Sequence, residues 1–65
     1  MILDITEHAK EKMLIYGITA EQIIKTIKQG AKFQQTDGFL AKYSYLRVAY
    51  KKRGNLYRIK TVYIE

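Results

Sequence analysis

From Phe39 to Ile64 the chain reads FLAKYSYLRVAYKKRGNLYRIKTVYI, with apolar or aromatic residues alternating with cations and small side chains. Alternation at a period of two marks a half-buried strand. Lys51-Lys52-Arg53-Gly54-Asn55 sits where a hairpin would fold back. The spacing predicts two long strands joined by a tight turn. With an even-numbered turn loop, positions whose numbers sum to an odd value pair across the ladder. One face then collects Leu46, Val48 and Tyr50 with Tyr57, Ile59, Thr61 and Tyr63. The other collects Tyr45, Arg47 and Ala49 with Arg58, Lys60 and Val62. The hairpin is thus apolar on one side and basic-aromatic on the other. A slip of one residue would exchange the two faces.

Sixty-five residues make a single domain over 1–65 with a thin core. There is no cysteine and only one histidine, so neither disulfides nor an all-protein zinc site is expected to staple that core. Aliphatic and tyrosine packing must hold it, helped by a partner or by self-association as a homodimer. No run reaches the length of a membrane span, and Met1-Ile2-Leu3-Asp4 lacks a signal peptide's basic start. The expectation is a cytoplasmic protein with no membrane contact. Charge is uneven along the chain. Residues 1–31 hold four lysines against four acids, and residues 32–65 hold eight cations against two acids. All of the +6 excess therefore lies in the segment expected to form sheet. A one-sided basic surface favours polyanions, through steering and counterion release. The bland reading, a solubilising lysine surface, fits arginines alternating with tyrosines less well, because both side chains stack on bases.

Met1 to Ile5 is short and β-compatible. Thr6 suits an N-cap, and a first helix runs from Glu7 to Tyr16, stopping at Gly17. Its expected buried stripe is Ala9, Met13 and Tyr16, with Ile18 covering the helix end. Thr19-Ala20-Glu21-Gln22 has the form of a capping box. A second helix follows to Gln29, with Ile23, Ile24 and Ile27 inward. The short Gly17-Ile18 link predicts an αα-hairpin. Lys32 to Thr36 is a weak strand, and Asp37-Gly38 signals a hairpin turn. The order reads β-α-α-β-β-β: an α+β fold with a two-helix hairpin on one face of a small antiparallel sheet.

Thr6-Glu7-His8-Ala9, then Lys12-Met13, then Gly17-Ile18-Thr19, with Thr61-Val62-Tyr63 at the end, resembles a small domain-of-unknown-function family (number 4258). That family looks related to RelE-like toxins, which share the β-α-α-β-β-β order. The resemblance implies a metal-independent mRNA endonuclease, acting on free or ribosome-bound mRNA and held by an acidic antitoxin protein. It implies no cofactor. Lys12 stands where the family usually has arginine, which keeps the charge but loses the bidentate fork. Tyr16 stands where another arginine is usual, and there the charge is lost outright.

Metal-free RNA cleavage needs a base for the 2′-hydroxyl, cations for the developing phosphorane charge and an acid for the leaving oxygen. Arg47, Arg58 and Lys60 are the expected cationic clamp, against the alternative of exposed cross-strand charges. Lys12, Lys51, Lys52 and Arg53 are further RNA-contacting candidates, and Tyr45 could stack a base. Tyr63 is either a core residue or a catalytic tyrosine, as the family-like ending implies. His8 is the chain's one imidazole, the side chain best suited to serve as a general base. It is otherwise a helix-start histidine bonded to a loop. The acids show no paired spacing, and no glycine-rich phosphate loop exists. Two non-catalytic readings compete. In one, the helix pair is a helix-turn-helix with the hairpin as a wing, offering Gln22, Lys25, Lys28 and Gln29 to bases. In the other, the basic face is a partner-binding module for an acidic peptide.

Overall fold

The alternating C-terminal run folds into three strands rather than two. A computed structural model describes residues 1–65. Its elements are β1 (Ile2–Ile5), α1 (Glu7–Tyr16), α2 (Ala20–Gln29), β2 (Ala31–Gln35), β3 (Gly38–Tyr43), β4 (Leu46–Arg53) and β5 (Leu56–Ile64). A turn at Ser44-Tyr45 divides the expected first long strand. Tyr43 pairs with Leu46, and Ser44 takes a φ of 56°, a left-handed slot usually filled by glycine. The order is therefore β-α-α-β-β-β-β, one strand more than the alternation predicts.

The sheet is mixed, not purely antiparallel, with spatial order β1-β5-β4-β3-β2. The helices carry the chain from one sheet edge to the other. Successive hairpins then bring it back until β5 lies parallel to β1. Both helices begin and end where their caps dictate. The Thr6 side chain accepts from the Ala9 amide at 3.2 Å and donates to the Ile59 carbonyl at 2.9 Å, so one residue starts α1 and ties it to β5. At α2 the capping box is complete: the Thr19 amide donates to Gln22 Oε1 at 2.8 Å, and the Gln22 amide donates back to Thr19 Oγ1 at 3.2 Å.

The two helices do not pack as an αα-hairpin. α1 docks on β5, whereas α2 docks on β3 and β4, and no extensive interface joins them. Ala9, Ile18, Ile23 and Ile27 meet Ala41, Val48, Tyr50, Ile59 and Val62 in one core, with Met13 packed at its margin. Of the stripe expected on α1, Tyr16 stays outside, 39% exposed. Leu14 and Ile15 are more exposed still. No helix is long and apolar enough to cross a membrane.

The β4–β5 register explains which face each residue takes. Near the turn the odd-sum pairing holds, from Arg53–Leu56 to Tyr50–Ile59. Beyond it Ala49 pairs with Thr61, so Lys60 is an extra residue in a β-bulge. Every later residue of β5 thereby changes face. Val62, expected on the basic face, is fully buried in the core. Thr61 and Tyr63, expected on the apolar face, pair with Ala49 and Arg47 on the side the helices leave open.

Candidate nucleic-acid interface

The helices cover one face of the sheet, and the opposite face gathers most of the chain's basic strand residues in cross-strand rows, Lys32 and Lys52 being the exceptions. One row runs Lys42–Arg47–Tyr63, and another runs Lys51–Arg58–Asp4. Arg47 and Lys51 are four residues apart on β4, which separates the rows by about 13 Å. The expected clamp of Arg47, Arg58 and Lys60 is therefore divided between two ends of this face.

At one end Arg47 is a strut. Its Nε donates to Glu65 Oε1 at 3.1 Å, and its Nη1 donates to the carbonyls of Ser44 at 2.9 Å and Leu46 at 3.1 Å. Only 15% of the side chain is exposed. This guanidinium closes the Ser44-Tyr45 turn and pairs with the Glu65 carboxylate. Tyr45 belongs to that turn rather than to a strand face, and it is 71% exposed. Beside it, Lys42 Nζ lies 5.0 Å from the centre of the Phe33 ring, a cation–π contact on the half-exposed Phe33.

At the other end an open groove of about 700 Å³ is lined by Lys51, Lys52, Arg53, Arg58 and Lys60, with Asp4 and Asp37. Lys51 Nζ contacts Asp37 Oδ1 at 2.7 Å, and Lys60 Nζ lies 3.5 Å from Asp37 Oδ2. Lys60 Nζ also donates to the Asp37 carbonyl at 2.6 Å. The hydrogen bond from Lys51 and the charges of both lysines hold the Asp37 carboxyl below its ordinary value. Arg53 and Arg58 are exposed and engaged in neither hydrogen bonds nor ion pairs. Their forks are free for an incoming anion.

Asp37 reaches this groove because of the glycine after it. Thr36 and Asp37 form a two-residue loop between paired Gln35 and Gly38. Gly38 has a φ of 111° and presses on β4. A side chain there would run into the Tyr50 carbonyl and meet Lys51 Cγ at 3.2 Å. The Asp37-Gly38 signal thus marks more than a turn: it sets an acid over two lysines.

The remaining candidates lie elsewhere. His8 is exposed and Lys12 half-buried on α1, in the helical layer, with the sheet between them and Arg58. Lys52 belongs to the helix side, where it pairs with Tyr57 and sets its Nζ 5.4 Å from the centre of that ring, but it also lines the rim of the groove. Tyr57 continues an aromatic series with Tyr50 and Phe39, at centroid spacings of 5.8 and 5.6 Å. Burial, and then the neighbouring Tyr57, push the Tyr50 phenol up from its ordinary value. Sequence reasoning missed four contributors to the open face: Asp4, Phe33, Asp37 and Lys42. Only the Asp37-Gly38 pair carried a local signal. The others required the strand order.

The open face can neutralise phosphates at one end and offer aromatic surface at the other. The chain matches no protein-family model, no curated protein and no solved structure.

Proposed function

We propose that this chain is a RelE-like domain that binds single-stranded RNA along the open face of its sheet. The observation that carries the reading is the groove of Lys51, Arg53, Arg58 and Lys60, on the same open face of the sheet as Phe33, Lys42 and Tyr63. Cations track a phosphate backbone, and exposed aromatic rings stack unpaired bases, so the combination suits a single strand better than a duplex. Fluorescence anisotropy tests it. Labelled single-stranded RNA should bind with an affinity that falls steeply with salt, and ahead of duplex DNA of equal length. Preference for the duplex would favour a helix-turn-helix reading instead.

A second reading adds cleavage to binding: a toxin-like mRNA endonuclease, held by an acidic antitoxin on the same basic surface. Its specific support is the pairing of Tyr63 with Arg47 on the open face. In this reading the Tyr63 phenol supplies the acid, and Arg47, already tied to Glu65 and the Ser44-Tyr45 turn, holds the strand segment that presents it. His8, on the helical layer, has no part in it. Expression toxicity with primer-extension mapping of mRNA ends is the test. Cleavage should be lost in Tyr63→Phe and retained in His8→Ala, and intact messages under wild-type expression would sink this reading.

A further inference from the structure

We infer that Asp37 is an internal counter-anion seated in a phosphate subsite made by Lys51 and Lys60, and that an RNA phosphate must displace it to bind fully. The inference deepens the RNA-binding reading and rests on it for the identity of the ligand.

Four of the five cations that line the groove fall into two kinds, and the fifth, Lys52, rests on the Tyr57 ring. Arg53 and Arg58 make no polar contacts, whereas Lys51 and Lys60 are both held by one carboxylate. Lys51 stands directly opposite Arg58 in the ladder, so like charges face each other there. Lys60 is the bulge residue, and the bulge re-aims its ammonium toward the β2–β3 loop. Without an anion between them this cluster would repel itself. Asp37 supplies one, at the position where a phosphate oxygen would sit.

The carboxylate is bound loosely enough to yield. Asp37 is 67% exposed and Lys51 51% exposed, and ion pairs at such exposure contribute little to stability. A phosphodiester captured first by the free Arg53 and Arg58 forks brings charge within reach of both ammonium groups. The loop can then swing its carboxylate aside while Gly38 stays packed on β4. Polyanions, held at several points, displace Asp37 readily, whereas a lone anion must win a one-for-one exchange. Asp37 therefore sets both the affinity and the selectivity of the groove.

Asp37→Asn is a clean probe, because asparagine is as well accepted as aspartate in tight turns. Asp4→Asn is its control. It removes the same unit charge from the same groove, but Asp4 forms no ion pair with the cations there. Anisotropy titrations with a short labelled single-stranded RNA, and competition with inorganic polyphosphate, would compare wild type, D37N, D37E and D4N at several salt concentrations. D37N should bind RNA about three- to tenfold more tightly at low salt. Its salt slope should steepen by about 0.7, as for one further phosphate contact. D37E should behave as wild type, and D4N should gain less than D37N. If wild type binds RNA but D37N gains nothing, or no more than D4N, the latch is wrong and the binding reading stands. If RNA is ignored by every variant while polyphosphate favours D37N, the latch stands and RNA is the wrong polyanion. Failure of all variants to bind either polyanion, with melting curves showing folded protein, overturns both.

Discussion

Ser44 is the only non-glycine residue with a positive φ, and it decides where the expected first long strand breaks. No glycine, proline, asparagine or aspartate marks that break, so the alternation from Phe39 to Tyr50 reads as unbroken. The turn is held from outside its own sequence. The Arg47 guanidinium bonds the Ser44 carbonyl, and the Glu65 amide donates to the Tyr45 carbonyl at 2.9 Å. Those partners enforce a backbone shape that serine adopts at a cost and glycine does not. Ser44→Gly should therefore raise the unfolding free energy by about 0.5–1 kcal/mol, after the entropic penalty of a glycine is deducted. A urea midpoint that falls instead would mean the serine hydroxyl supports the turn. Asp37-Gly38 is the opposite case. Its turn was legible in the sequence, but the lysines beneath the acid depend on strand order and could not be read there.

Strand β5 carries the largest correction among the elements. The even loop at Gly54-Asn55 set the pairing correctly as far as Tyr50–Ile59. One extra residue, Lys60, then reversed everything after it. A bulge changes no composition and here uses no glycine, so alternation alone cannot locate it. The helix bounds, by contrast, were legible, because caps are local: Thr6, Thr19 and Gln22 need only their own neighbours. Val62 and Tyr63 report the reversal directly. Val62→Ala should cost about 1–3 kcal/mol, since it removes methyl groups from a fully buried site. Tyr63→Phe should change stability by less than about 0.5 kcal/mol, because the half-exposed phenol makes no hydrogen bond within the chain. Paired denaturant titrations decide it, and a large loss for Tyr63→Phe with none for Val62→Ala would restore the unbulged register.

At the scale of the molecule, the sheet separates two populations of functional candidates. Core packing needs one face apolar, so the helices cover it, and His8 and Lys12 travel with α1 to that side. The alternation then sends Lys51, Arg53 and Arg58 to the other side, and the bulge adds Lys60. A polyanion on the open face feels the nearby cations strongly and the helical lysines weakly, since salt screens exposed charges beyond about 8–10 Å. Local contact, not net charge, should govern affinity. Arg58→Ala removes a free guanidinium from the groove and should weaken single-stranded RNA binding by about three- to tenfold at low salt. It should also make the salt slope shallower by about 0.7. Lys12→Ala removes the same unit of charge from the helical layer and should leave both quantities within twofold of wild type. His8→Ala should do the same. Equal losses from Arg58→Ala and Lys12→Ala would show that RNA responds to total charge alone, and a larger loss from Lys12→Ala would move the binding surface to the helices.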